Sequence, residues 1–366
     1  MTAGQTTERT DGLGETPPGN SRWTDLNGPV RYLDFGGPAD GPVVVCVHGL
    51  GGSAVNWTAV APLLTGTCRV LAPDLAGHGL TQSLGRGTDV ASNRALLHRF
   101  IMSVTGGPVI LMGNSMGGMI SLLEASAAPA AVAGLVLVDP ALPFVPVRPD
   151  PLVAAVFAAY LTPGLRRAVE ARRRRQVPAE LVSSTLRLCC ADSSRVAPEV
   201  IARHVEVAVQ RAGFPTIEAD FAAAVRSVVR TVGYPHGRAY GRRIRSITCP
   251  VLLIHGTVDR LVPIAAARAA ARANPAWSLR ELGGVGHVPQ LEAPRDTADA
   301  YWPGWAQWAS KPAVPRKQHG RRRLMRPAPR CGDAWLRGPK PQVVKVRRGP
   351  LPGESIFKIC IQPPGG

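Results

Sequence analysis

Six short apolar runs set the limits on what this chain can fold into: Val43 to Val47, Val70 to Ala72, Val109 to Met112, Leu135 to Val138, Val251 to Ile254 and Leu279 to Leu282. Each is too short for a buried helix, and all but Leu279 to Leu282, which holds Arg280 and Glu281, are too continuously apolar for a strand with one wet face. Such runs suit parallel strands covered on both sides. Helix-patterned segments separate most of them, and that alternation argues for a doubly covered parallel sheet. Arg31 to Phe35 reads as an earlier strand, ended by Gly36-Gly37-Pro38.

The alternation stops between Pro143 and Ile247 and resumes at Pro250. The intervening stretch is rich in Ala, Val and Arg, patterned as helix and broken at Pro163, Pro178, Pro198 and Pro215. We read residues 143–247 as a helical insertion over one edge of a core formed by residues 22–142 and 248–310. Pro151 to Leu161 is apolar on all sides and reads as core-facing, with a lining of the pocket mouth as the alternative. The run Arg172 to Arg175 reads as a solvated helix face, with contact to an acidic partner or a membrane as the alternative. Residues 1–21 are polar and read as a disordered leader, with no apolar core for a signal peptide or membrane span.

The formal charge of +18 raises the question of a nucleic-acid partner, and its distribution answers it. From Lys311 onward there are fourteen basic residues against Asp333 and Glu354, so 14 − 2 = +12 of the excess lies beyond the core. That segment, residues 311–366, interleaves its cations with prolines and lacks periodicity, a composition that predicts a disordered tail. It also lacks the regular aromatics of a strand-binding surface, so no specific nucleic-acid partner is expected; a weak contact with an anionic surface fits its charge. The seven cysteines form no C-x-x-C pair and no framework, which points to a reducing compartment and a cytoplasmic protein. His204, His236 and His319 have no ligand spacing, so no metal is expected.

Gly113-Asn114-Ser115-Met116-Gly117 follows one apolar run and precedes a helix-like segment, Met119 to Ala128. A serine on a tight strand-to-helix turn projects its hydroxyl above the sheet, and the following helix N-terminus brings amides and partial positive charge to it. His48-Gly49-Leu50-Gly51-Gly52 follows another run. A turn of this kind places the N–H of Leu50 beside an oxyanion, with the N–H of Met116 as second donor; each donor is worth on the order of a few kcal/mol. His48 itself reads as a structural hydrogen-bonder. Asp259 ends the turn after Val251 to Ile254, and His287 lies in the loop after Leu279 to Leu282. Ser115, Asp259 and His287 thus occur in the chain order of a hydrolase triad on a parallel sheet, each past a strand C-terminus, where open α/β sheets place ligands. Asp139, after Leu135 to Val138, is an alternative acid, and Asp74 and His78 read as loop-shaping residues.

These segments, HGLGG at His48–Gly52, PDLAGHG at Pro73–Gly79, GNSMGG at Gly113–Gly118, HGTVDRLVP at His255–Pro263 and GVGHVPQLEAP at Gly284–Pro294, resemble the α/β-hydrolase superfamily from about Arg31 to Ser310. The resemblance implies an α/β fold with a mostly parallel eight-stranded sheet, a helical cap, no cofactor, and Ser115, Asp259 and His287 as catalytic residues. Ser115 at the elbow argues against the capped relatives that use Asp there, such as epoxide hydrolases and haloalkane dehalogenases. The aliphatic insertion favours small hydrophobic esters as substrates, cleaved through an acyl-enzyme. Two other readings share these residues. One is a C–C bond hydrolase of the meta-cleavage type, whose elbow GNSMGG resembles although HGLGGS departs from its longer loop. The other is a non-catalytic binding protein on the same scaffold.

Overall fold

The computed structural model describes residues 19–301, with 144, 146 and 149 excepted. The expected leader and tail therefore fall largely outside the described residues. Eight strands form one sheet: β1 (Asn20–Asp25), β2 (Pro29–Gly36), β3 (Val43–Val47), β4 (Arg69–Pro73), β5 (Val109–Asn114), β6 (Val132–Val138), β7 (Val251–Gly256) and β8 (Ser278–Leu282). Their order across the sheet is β1-β2-β4-β3-β5-β6-β7-β8. The pairs β1–β2 and β2–β4 are antiparallel and the other five are parallel. β1 departs from the sequence reading, because Asn20 and Ser21 belong to a strand rather than to the leader. Its sequence, NSRWTD, is mostly exposed, so an edge strand of this kind has no apolar run to announce it.

Twelve α-helices accompany the strands among the described residues: α1 (Ala61–Leu64), α2 (Val90–Phe100), α3 (Met116–Ala127), α4 (Pro151–Leu161), α5 (Pro163–Arg175), α6 (Pro178–Cys189), α7 (Pro198–Arg211), α8 (Ile217–Val232), α9 (His236–Arg245), α10 (Ile264–Ala273), α11 (Pro289–Glu292) and α12 (Pro294–Tyr301). Local chemistry sets several starts. The Asp89 carboxylate accepts hydrogen bonds from the amides of Ala91 and Ser92 at the head of α2, and Asp150 does the same for Leu152 and Val153 at the head of α4. Pro163, Pro178 and Pro198 each occupy the first turn of a helix, where a missing N–H costs nothing. Three of the four prolines that broke the pattern in the sequence are therefore helix starts, while Pro215 lies in the turn before α8.

The central strands divide their side chains between two cores. Val45, Val47, Leu111, Leu135, Leu137, Val251 and Leu253 join one, with Leu97 and Phe100 of α2, Met119 and Ile120 of α3, and Tyr240 and Ile244 of α9. Val44, Cys46, Ile110, Met112, Val136, Val138, Leu252 and Ile254 alternate into the other, with Trp57, Leu64 and Tyr301. Burial on both faces explains why these strands read as continuous apolar runs. β8, at the edge, exposes Ser278, Arg280 and Glu281, and such charges oppose further strand pairing.

Helices α4 to α9 occupy the insertion between β6 and β7. α9 packs on α3, and its Tyr240 hydroxyl donates to the carbonyl of Ala141 at 2.9 Å. The sheet-covering layer thus resumes ahead of the boundary at 247 drawn from the sequence. α4 also departs from its reading as a core-facing helix: it buries Val153 and Tyr160 but exposes Leu152 and Leu161.

Candidate active site

Ser115 is the turn between β5 and α3, and its backbone sits at φ 53°, ψ −116°. That conformation costs a residue with a Cβ about 1–3 kcal/mol. Neighbouring backbone holds it there: its N–H donates to Val138 O at 3.1 Å, and its carbonyl accepts from the amides of Met119 at 3.1 Å and Ala141 at 2.9 Å. Gly117 gives the elbow room, since a Cβ there would come within 2.1 Å of the Val47 carbonyl oxygen. Gly49 lets the loop after β3 approach equally closely, because a Cβ on it would meet the Ser115 Cβ at 3.1 Å. The segment bearing Leu50 therefore lies against the serine. Met116 opens α3, so its amide has no intrahelical acceptor.

Asp259 and His287 meet in the loops after β7 and β8. His287 Nδ1–H donates to Asp259 Oδ2 at 2.7 Å, with both residues buried. A neutral ring committed in this way carries its lone pair on Nε2, the nitrogen a general base uses. Asp259 Oδ1 accepts from the amides of Leu261 at 2.8 Å and Val262 at 3.0 Å. Burial opposes the Asp259 charge, but His287, His255 and these amide contacts outweigh it and hold the carboxyl below its ordinary range.

Two residues that the sequence did not single out join these loops to the serine. The Asn114 side-chain amide donates to the carbonyls of Val138 and His287, each at 3.0 Å, so the residue before Ser115 grips the backbone of the histidine. Glu292, fully buried, accepts from the amides of Gly286 at 2.9 Å, Ala191 at 3.0 Å and Asp192 at 3.1 Å. It fastens the histidine loop to the segment after α6, and His287 N–H donates to Cys189 O at 2.7 Å in the same junction. Glu292 stood in view within GVGHVPQLEAP, but nothing in the sequence distinguished it from a surface acid. The structure thus brings Asp259 onto His287 and the His287 backbone onto the elbow. Among the described residues the Ser115 hydroxyl itself makes no hydrogen bond to protein.

Asp139, the alternative acid, is buried at the end of β6 with φ 44°. Its Oδ1 accepts from the Gly256 amide at 3.0 Å, while its Oδ2 is buried without a partner. Both Asp139 and Asp259 lie 3.4 Å from His255 Nε2, and that nitrogen is already 2.8 Å from the Val262 carbonyl. Burial, then the neighbouring Asp259 charge, raises the Asp139 carboxyl well above its ordinary range. Asp139, His255 and Asp259 form a group with metal-ligand chemistry, but Asp259 and His255 already spend their facing atoms on protein groups. Of the two carboxylates, Asp259 is the one hydrogen-bonded to the His287 ring.

His48 donates from Nδ1 to the Gly49 carbonyl at 2.8 Å and accepts from the Leu75 amide on Nε2 at 3.0 Å, a structural role. Burial lowers its pKa to about 4. Asp74 accepts from the amides of Ala54 at 2.6 Å and Leu80 at 2.8 Å and pairs with Arg31 at 3.1 Å, so it shapes the neighbouring loops. His78 Nδ1 bonds the Ala76 carbonyl at 3.0 Å and stays neutral in its buried setting. Over the Leu50 loop lies an apolar roof. Tyr160, Val156 and Phe157 of α4 and Phe221 and Val225 of α8 cluster with Leu50.

A mostly parallel sheet with a serine elbow and a buried Asp–His pair at the strand C-termini defines a class, the α/β hydrolases. Residues 44–300 match the model of the alpha/beta hydrolase family, and the chain belongs to that family. Among its relatives is the pimeloyl-acyl-carrier-protein methyl ester esterase of Aromatoleum aromaticum, 28% identical over 70% of this chain and 95% of the relative. Another is Lipase 1 of Psychrobacter immobilis, 25% identical over 74% of this chain and 78% of the relative. In fold it is similar to a solved lipase of Acinetobacter baumannii, with a TM-score of 0.62 at 22% identity over 78% of this chain and 90% of the other.

Proposed function

We propose that the protein is a serine esterase that cleaves carboxylic esters of hydrophobic substrates through an acyl-enzyme. The observation that carries the reading is the His287–Asp259 hydrogen bond at 2.7 Å in a loop that Asn114 ties to the residue before Ser115. The esterase and lipase names of the two relatives support the same bond type.

The residues have the following roles. Ser115 Oγ attacks the ester carbonyl carbon as its proton passes to His287 Nε2. The carbonyl oxygen gains the negative charge and rests against the amides of Leu50 and Met116 at the α3 N-terminus. Asp259 stabilises the imidazolium. Collapse breaks the C–O bond, and His287 returns its proton to the departing alcohol. The same imidazole then takes a proton from water, the hydroxide adds to the acyl carbon, and the acid leaves as Ser115 recovers its proton. The apolar roof of Leu50, Val156, Phe157 and Phe221 favours an aliphatic or aromatic group over a charged one.

A panel of p-nitrophenyl esters graded by acyl length tests this, run on the wild type and on Ser115→Ala together. The expected result is turnover that improves from acetate toward longer acyl chains and is abolished in Ser115→Ala with the fold intact. Equal turnover by both proteins would refute the assignment, and hydrolysis of a vinylogous diketone but of no ester would move the enzyme to C–C bond cleavage.

A further inference from the structure

The solvent side of α4 and α5 has no role in the chemistry above, and its composition is unusual for a surface. Among the described residues no single helix is long and apolar enough to cross a membrane. α4 and α5 together reach the required length and composition, but the chain bends by 105° between them. The pair is therefore not one straight span. On α4, Val153 and Tyr160 face inward, and the opposite half consists of Leu152, Ala155, Ala158 and Leu161, with no charge. On α5, Val169 and Arg173 turn inward, Arg173 toward Glu218 and the face of Phe221, while Glu170 pairs along the helix with Arg166. The outward half carries Leu165 with Arg167, Arg172, Arg174 and Arg175, and the helix's one acid, Glu170, borders it with its charge paired to Arg166. None of those four arginines forms an ion pair among the described residues.

Leu152, Leu161 and Leu165 are 53%, 43% and 55% exposed. Arg167, Arg174 and Arg175 line a shallow concavity with Glu170 and Ala171; their spacing of seven and eight residues from Arg167 puts them on one stripe of the helix. Exposed leucines next to unpaired arginines make a surface suited to a medium that is apolar below and anionic above. We propose that this face of α4 and α5 docks on an anionic phospholipid surface, with the leucines among the acyl chains and a headgroup phosphate in the concavity of Arg167, Arg174 and Arg175.

Charge complementarity selects this occupant. The chain's own residues from 311 onward carry +12, the same sign as this face. A nucleic acid would use the arginines but leave the leucines in water. The inner side of α4 supplies part of the roof over Leu50, so docking brings the covering of the site to the lipid. The proposal does not depend on ester hydrolysis, because binding is read without turnover.

The test is co-sedimentation of the full chain with phosphatidylcholine vesicles, with and without phosphatidylglycerol. Retention is expected with phosphatidylglycerol and not with phosphatidylcholine alone. Each arginine close to an anionic surface is worth about fivefold, so the combined Arg167→Gln, Arg174→Gln, Arg175→Gln variant should weaken binding on the order of a hundredfold. Leu152→Ser with Leu165→Ser should weaken it by about tenfold. Circular dichroism should show both variants folded, since all five side chains face solvent. Wild-type affinity in the arginine variant would overturn the proposal and place the attraction in residues 311–366. Wild-type affinity in the leucine variant, with equal retention on double-stranded DNA, would also overturn it and leave a plain polyanion patch.

Discussion

Replacing Ser115 by glycine should make the protein inactive and more stable. The serine backbone sits at φ 53°, ψ −116°, close to the first central position of a type II′ turn, where glycine is favoured. Releasing the Cβ from this region returns about 1–3 kcal/mol. Glycine gives back about 0.5–1 kcal/mol through its greater freedom in the unfolded chain. The hydroxyl accepts and donates no protein hydrogen bond among the described residues, so its removal subtracts nothing further. The balance is a gain of about 1 kcal/mol, or a rise in Tm of about 2–4 °C for a domain of this size. Ser115→Ala keeps the Cβ and the strain, and should stay within about 0.5 kcal/mol of the wild type. The assay is thermal unfolding of the three proteins side by side, followed by circular dichroism at one scan rate. A glycine variant that melts at or below the alanine variant would refute the strain argument, because backbone conformation is what separates the two.

Asp259→Asn should lower kcat/KM by about 10⁴-fold, since an amide cannot hold the same tautomer of His287, whereas Asp139→Asn should cost less than about tenfold; steady-state kinetics on a p-nitrophenyl ester compares them, and the reverse order would make Asp139 the acid. Asp139 also has a signature in pH dependence. Its folded pKa is raised above the ordinary 3.8, so its contribution to stability is complete below that value and is lost as pH rises toward the folded pKa. Asp139→Asn removes this loss and should therefore gain on the wild type as pH is raised from about 4 to neutrality, read as urea midpoints across that range; a gap that narrows instead would contradict the raised pKa. Glu292→Ala leaves the amides of Gly286, Ala191 and Asp192 without their acceptor, the first of them buried, and should cost about 1–3 kcal/mol, with Glu292→Gln recovering only part of it in the same denaturation assay. Phe221→Ala opens the roof beside Leu50 and should raise KM for hydrophobic esters more than it lowers kcat; a loss confined to kcat would place Phe221 in the chemistry rather than in binding.

The sequence displayed what is buried on both sides and concealed what is buried by its partners. Strands β3 to β7 were legible because each is covered by helices on both faces and so reads as an unbroken apolar run. β1 was not, because an edge strand has one exposed side and its NSRWTD sequence resembles a polar leader. Ser115 and Asp259 were legible because each follows such a run in a turn, and His287 because it lies in the glycine-rich loop after the last strand. Asn114 and Glu292 were not, because their importance lies in which backbone groups they hold, and those come from loops 173 and about 100 residues away. Asp139 was visible as a candidate acid, but only geometry separates it from Asp259: two carboxylates stand equally far from His255, and one of them reaches His287. α4 misled for a related reason. An all-apolar helix usually means core, yet half of this one faces out from the insertion.

The central claim is that Ser115 is the nucleophile served by His287, and covalent labelling tests it most directly. A fluorophosphonate incubated with the folded protein should add once, and peptide mass mapping should place the adduct on the peptide containing Ser115. The label should vanish in Ser115→Ala and form far more slowly in His287→Ala. An adduct on any other residue, or full-rate labelling without His287, would contradict the assignment.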